Sequence, residues 1–176
     1  MRIIQCTREE HAAAILYLLN DAIVNSTALY DYKPRSAESM GVWFDDKVAG
    51  SFPVLGAQSA TGELLGFATY GGFRPHSAYR YTIEHSVYVH PDHRRTGLAA
   101  TLMQALISEA RRQEYHVMVG GIDGRNAASI GLHEKLGFTR AGTLHHAGFK
   151  FGRWLDLVFF QLILDTPQTP VESSRA

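Results

Sequence analysis

Arg94-Arg95-Thr96-Gly97-Leu98-Ala99 separates a strand-like run, Tyr81 to Val89, from a segment in which Leu98, Leu102, Leu106 and Ala110 recur at helical spacing. The turn is His90-Pro91-Asp92-His93, and the periodicity predicts a helix from about Gly97 to Gln113. A helix that starts there leaves its first backbone N–H groups without partners. Those donors, the positive end of the helix dipole and a glycine with no Cβ make a pocket for a diphosphate, and Arg94 and Arg95 add charge. A bland alternative is an ordinary charged turn before a helix.

Two common phosphate loops do not fit. A triphosphate-binding loop needs Gly-Lys-Ser/Thr, whereas Gly97 is followed by Leu98-Ala99. A dinucleotide fingerprint needs three spaced glycines, and this turn has one.

Two further segments bear on function. Downstream, a strand candidate His116-Val117-Met118-Val119 leads through Gly120-Gly121-Ile122-Asp123-Gly124-Arg125 to Asn126-Ala127-Ala128-Ser129 and on to His133-Glu134-Lys135-Leu136-Gly137-Phe138. Asn126 suits a helix N-cap and Gly137 a left-handed helix end. Upstream, Glu84 interrupts the strand formers of Tyr81 to Val89 with a carboxylate, a residue disfavoured in strands. On a central strand beside a cleft, its pKa rises towards the range useful to a general base. On an edge strand it is a solvated carboxylate or the partner of an arginine.

The pattern Arg-x-x-Gly-x-Ala on Arg94, Gly97 and Ala99, followed by Asn126 and Lys-Leu-Gly-Phe, resembles the GCN5-related N-acetyltransferases. Thr82 to Val89, Asn126 to Phe138 and Lys150 to Asp156 resemble the branch that acetylates phosphinothricin and methionine sulfone. The resemblance extends from Arg2 to about Leu164. It implies an α/β, α+β layered fold, with a mixed central sheet, splayed central strands and helices on both faces. It also implies acetyl-CoA as co-substrate, bound by Arg94, Arg95, Thr96, Gly97, Leu98, Ala99 and Ala100, by backbone groups of Val87, Tyr88 and Val89, and by Asn126 and Ser129. Glu84 is then the base that deprotonates the amine. His133, where many relatives carry tyrosine, is the candidate acid for the leaving thiolate. Two features depart from the common pattern. Ala99 stands where glycine is more usual, and Arg95-Thr96 where Gly-Lys is frequent.

The acceptor expected is an amino-acid analogue such as phosphinothricin, methionine sulfone or methionine sulfoximine. Arg74 and Arg80 are the candidates for holding its carboxylate and its second oxygen-rich group, unless they are simply solvated loop arginines. Trp43, Phe44, Tyr30 and Trp154 are candidates for an apolar wall, with core or dimer packing as the alternative. A protein N-terminus or another amine is the alternative acceptor, and a non-catalytic acyl-CoA-binding regulatory module the alternative class.

Composition fits this. The chain has 176 residues, 17 basic and 17 acidic, which disfavours nucleic acid or an anionic membrane as the main partner. A single cysteine, Cys6, excludes an intramolecular disulfide, and no signal-type or membrane-spanning apolar run is read, so a soluble cytosolic protein is expected. No metal is expected, because His90-x-x-His93 and His145-His146 lack recognised ligand spacing. Relatives in the resembling family are usually homodimers, and the apolar C-terminal strand fits burial at such an interface or in the core.

The remaining expectations are a strand at 2–6, helices at 9–24 and 37–47, a hairpin of 53–57 with 64–73, and closing strands at 139–146 and 153–164. One domain at 1–165 and a disordered tail at 166–176 complete the expected organisation.

Overall fold

The computed structural model describes residues 1–172. Seven strands form one sheet in the order β1-β2-β3-β4-β5-β7-β6. They are β1 (Arg2–Gln5), β2 (Val54–Gln58), β3 (Leu64–Gly72), β4 (Thr82–Val89), β5 (Val117–Asp123), β6 (Thr139–Lys150) and β7 (Arg153–Ile163). Helices α1 (Arg8–Asn25) and α2 (Ser39–Ala49) precede β2, α3 (Leu98–Arg112) joins β4 to β5, and α4 (Ala127–Lys135) joins β5 to β6. This is the mixed, layered α/β sheet expected from the alternation of strand and helix signals.

The central joint positions the site. β4 and β5 run parallel and pair only at Thr82–Val117, Ile83–Met118 and Glu84–Val119. Beyond Glu84 they part, while β4 stays paired to β3 as far as Gly66–Val89 and β5 stays paired to β7 as far as Asp123–Leu157.

Side-chain alternation assigns the two faces. Ile83 and Val87 of β4, with Met118 and Ile122 of β5, pack with Leu98, Leu102 and Leu106 of α3. On the other face, Phe67 and Tyr88 pack with Ile15 and Leu19 of α1 and Phe44 of α2. Glu84 therefore lies on the α1/α2 face, and His85 lies on the α3/α4 face.

Two strands outrun their sequence signals. β5 continues through Gly120 and Gly121, beyond the strand candidate that ended at Val119, because β7 supplies Phe160 and Phe159 as partners for both. β6 extends to Lys150 by way of an irregularity between Leu144 and Gly148. Lys150 is buried there, and its Nζ donates to the carbonyls of Ile23, Ser26 and Leu29 at 2.6, 2.9 and 2.6 Å, which anchors the end of α1 to the β6–β7 hairpin.

Thr166 at the start of the expected tail donates through Oγ1 to the Tyr115 carbonyl at 2.6 Å. The Val171 carbonyl accepts from Arg80 and from the Tyr81 hydroxyl. Positions 173–176 lie outside the described residues. No helix among the described residues is long and apolar enough to cross a membrane.

Candidate active site

The turn after β4 leaves the first backbone donors of α3 free. Arg95 and Gly97 both adopt left-handed backbone, with φ of 63° and 85°, and a Cβ on Gly97 would meet nothing within 4 Å. The first α3 backbone bond runs from Thr101 N–H to the Gly97 carbonyl, so the N–H groups of Leu98, Ala99 and Ala100 have no helical partner. Gly97 provides no side-chain cap to take their place. Thr96 Oγ1 donates to the His93 carbonyl at 2.7 Å, which tightens the turn. Arg94 is held back from the opening: its guanidinium pairs with Asp21 of α1 and donates through Nε to the Val89 carbonyl at 3.3 Å.

Between the parted ends of β4 and β5 lies a cavity of about 70 Å³ lined by Ser86, Val87, Tyr88, Asn126, Ser129 and His133, among others. Alternate backbone N–H groups of β4 beyond Glu84 turn away from β3 and into this gap, where β5 no longer meets them. The Asn126 side chain accepts from Ser129 N–H at 3.1 Å and caps α4. The cavity joins the free edge of β4 to the start of α4, and the Gly97 turn follows the same end of β4. The donors of the turn and its exposed glycine, with the cavity beside them, fit a phosphorylated carrier with a narrow arm.

Glu84 marks the point where the strands part. Burial raises its pKa, and the charge of Arg74 partly offsets that rise. The Arg74 guanidinium stacks 4.2 Å from the Phe73 ring centroid and donates to the Phe73 carbonyl at 2.9 Å. Glycine lies on both sides of Glu84 on this face. Gly71 of β3 is its direct partner, and a methyl group at Gly121 of β5 would stand 3.3 Å from Glu84 Oε1. The result is a shallow trough with the carboxylate at its centre.

The structure does not bring Arg80 to this trough. A short 3-10 turn, Ser77–Tyr79, directs its guanidinium onto the Tyr81 ring at 4.9 Å and to the Val171 carbonyl at 3.2 Å, at the far end of β4.

The expected aromatic wall is also dispersed. Phe44 is core, and Trp43 packs edge-on against Phe44 and Phe67. Trp154 is exposed and stacks on His146. Tyr30 lies across Gly148, where a Cβ would come within 2.7 Å of its ring, and its buried hydroxyl has no hydrogen-bond partner among the described residues.

His133 is buried beneath the cleft in a pair absent from the sequence reading. Its Nδ1 is 2.7 Å from the Ser129 carbonyl and its Nε2 is 3.0 Å from Nε2 of His85. A carbonyl only accepts, so His133 carries its proton on Nδ1, and its Nε2 lone pair takes the Nε2–H of His85. His85 Nδ1 is then a bare buried lone pair, in keeping with its lack of any partner. Burial lowers the pKa of both rings, so both are neutral at neutral pH. Every N–H of the pair is spent within it or on Ser129. Gly120 makes room for it: a Cβ there would stand 2.6 Å from His85 Nε2 and 2.9 Å from His133 Nε2.

Asp123 was also missed by sequence reasoning, since its partners Thr27 and Arg153 lie far from it in the chain. Its buried carboxylate accepts from Thr27 at 2.6 Å and from Arg153 at 2.9 Å, tying the segment after α1 to β5 and β7.

Comparison with known proteins identifies the family. The profile of the acetyltransferase (GNAT) family matches residues 20–138. The chain belongs to the GNAT acetyltransferase family. The GNAT chain is 50% identical over 151 residues to the L-methionine sulfoximine/L-methionine sulfone acetyltransferase of Pseudomonas aeruginosa, covering 86% of this chain and 88% of the relative. It is 34% identical to the phosphinothricin N-acetyltransferase of Alcaligenes faecalis, covering 94% and 84% respectively. A Salmonella typhimurium acetyltransferase solved with its cofactor acetyl-CoA superposes with a TM-score of 0.92 at 41% identity, covering 97% of this GNAT chain and 98% of that one.

Proposed function

We propose that this protein transfers the acetyl group of acetyl-CoA to the α-amino group of a small amino-acid analogue carrying a sulfone, sulfoximine or phosphinate group. The observation that carries the proposal is the placement of Glu84: a partly desolvated carboxylate, at the last β4–β5 pair, on the floor of a glycine-flanked trough. The names of the relatives support the acceptor class.

In this mechanism the N–H groups of Leu98, Ala99 and Ala100 hold the pyrophosphate, assisted by Arg95, while Arg94 fixes the loop to α1 through Asp21. Backbone N–H groups of the Val87 to Val89 segment meet the thioester oxygen as negative charge develops on it. Asn126 and Ser129 border the arm of the carrier at the start of α4. The amine attacks in its neutral form. A C–N bond forms, the C–S bond breaks, and Glu84, directly or through a water, accepts the proton the nitrogen loses. Arg74 holds an oxygen of the acceptor beside Glu84.

For His133 we propose a positioning role in place of the acid role expected from sequence. Its Nδ1–H is committed to the Ser129 carbonyl and its Nε2 to His85, so it ties α4 to β4 under the cleft. The departing thiolate takes its proton from water in the open cleft.

We further propose a cytoplasmic homodimer. Exposed large apolar side chains on the β6–β7 hairpin, with Phe149 and Trp154 packed side by side, support the dimer.

The test is release of thiol from acetyl-CoA with phosphinothricin, methionine sulfone, methionine sulfoximine, standard amino acids, a polyamine and a short peptide as acceptors. Turnover concentrated on the amino-acid analogues is expected. Turnover on the peptide or polyamine alone overturns the acceptor assignment, and acetyl-CoA binding without turnover on any acceptor points to a regulatory module.

A further inference from the structure

We infer that Lys47 is the second cationic contact for the acceptor, gripping an oxygen-rich group while the amine lies against Glu84. The inference rests on the proposed amino-acid acceptor and supplies the partner that Arg80, turned towards Val171, does not provide.

Lys47 is in the last turn of α2, on the same face of the sheet as Glu84. β2 ends its pairing with β3 at Val54–Thr69, and Lys47 reaches in just beyond it to donate to the Tyr70 carbonyl at 2.8 Å. Its Nζ lies 5.4 Å from the Trp43 ring centroid and 5.7 Å from that of Phe52. An ammonium has three donors, and here one is spent on a carbonyl while two rings flank the charge. Among the described residues Lys47 makes no ion pair, and the carboxylate that supports its charge is that of its chain neighbour Asp46. Burial has pushed its pKa down to about 8, which leaves it mostly charged at neutral pH and short of solvation. A poorly solvated cation of this kind gains most from an incoming anionic oxygen.

Register connects Lys47 to the site. Gly71 is the direct antiparallel partner of Glu84, and side chains at directly opposed positions share a face with Cβ atoms about 5 Å apart. A Cβ on Gly71 would stand 3.7 Å from Lys47 Nζ, with no other atom within 4 Å. The space vacated by that glycine therefore lies between the ammonium and the carboxylate. An acceptor lying along the trough places its amine at Glu84 and an oxygen pair at Lys47. Both the α-carboxylate and the side-chain oxide of such an acceptor have this chemistry.

The experiment compares steady-state kinetics of the wild type, Lys47→Met and Lys47→Arg with four acceptors: methionine sulfone, its α-carboxamide, methionine, and methionine α-carboxamide. The wild type is expected to prefer either acid over amide, or sulfone over thioether, by about 10- to 100-fold in kcat/KM. Lys47→Met should lose one of these preferences through KM, with kcat for the poorer acceptor little changed, and Lys47→Arg should restore part of it. Loss of the acid preference identifies the α-carboxylate as the bound group, and loss of the sulfone preference identifies the side-chain oxide. Both preferences surviving in Lys47→Met overturns the role of Lys47 while leaving the proposed acceptor intact. No turnover by the wild type on any of the four overturns the acceptor and the Lys47 contact together. If Lys47→Met fails to fold, the wild type is reductively methylated with 13C-formaldehyde, which labels its four lysines. Methionine sulfone should then shift one methyl signal, assigned to Lys47 by its absence from Lys47→Arg. No shift at saturating acceptor overturns the inference.

Discussion

β5 is zipped to β7 over seven residue pairs, Val117–Ile163 to Asp123–Leu157, and to β4 over only three. The same strand therefore has one sealed edge and one open edge. At the sealed edge the backbone hydrogen bonds of β5 are all met by β7, and even Gly120 and Gly121 are held as strand. At the open edge the backbone donors of β4 have no strand opposite them, and an unpaired donor in a partly dry gap is costly unless a ligand meets it. The sealed half makes the open half tolerable by holding β5 rigid while β4 departs from it. Glu84 and His85 stand at the divide, one on the trough face and one in the closed core, so adjacent residues take opposite roles.

The largest effect should come from removing the carboxylate on the open side. Glu84→Gln is expected to reduce turnover by about 10²- to 10⁴-fold while leaving acetyl-CoA affinity, read by calorimetry, within about twofold. On the closed side the expected damage is to stability. Gly120→Ala drives a methyl group into the facing nitrogens of His85 and His133 and should cost about 1–3 kcal/mol, visible as a lower Tm in thermal unfolding. A result with the effects exchanged, stability lost at Glu84 and activity alone lost at Gly120, breaks the comparison.

The histidine pair sharpens it further through pH. Both rings have folded-state pKa values below those of the unfolded chain, so below about pH 6.5 the unfolded state binds protons that the native state refuses. Stability should therefore be fully present above about pH 6.5 and fall as pH drops, by up to about 1.4 kcal/mol per pH unit for each histidine. Denaturant unfolding at stepped pH measures this, and a shallower slope is expected in His85→Phe. The same substitution should leave kcat within a few-fold, since neither ring aims an N–H at the cleft.

How far the sequence carried this account depends on what kind of group does the work. The Gly97 turn was legible because its chemistry is backbone chemistry, fixed by a glycine between strand and helix. Glu84 was legible because a carboxylate among strand formers contradicts its surroundings. The helix and strand order followed from periodicity, with boundaries displaced by a few residues. The strand candidate ended at Val119 in sequence because two glycines carry no strand signal, and pairing with β7 extends it through Gly120 and Gly121. His85 gave no signal as the partner of His133, since 48 residues separate the two and only the folded structure brings β4 and α4 together there. Arg80 was assigned to the acceptor from its nearness in sequence to Glu84, and the 3-10 turn at Ser77–Tyr79 sends it elsewhere. Lys47 was invisible for a related reason: its meaning comes from a glycine on another element.

The most direct test of the central claim is the pH dependence of kcat/KM with one amino-acid analogue as acceptor. The acceptor's own amine contributes a slope of one in log kcat/KM below its pKa. In the wild type the slope should steepen to two where Glu84 protonates, above the ordinary carboxylate range because burial raises its pKa. Arg74→Ala should move that break to higher pH, since the arginine now lowers the Glu84 pKa. Glu84→Gln should show a slope of one throughout. A break to slope two that persists unchanged in Glu84→Gln would contradict the account and assign the base to another group.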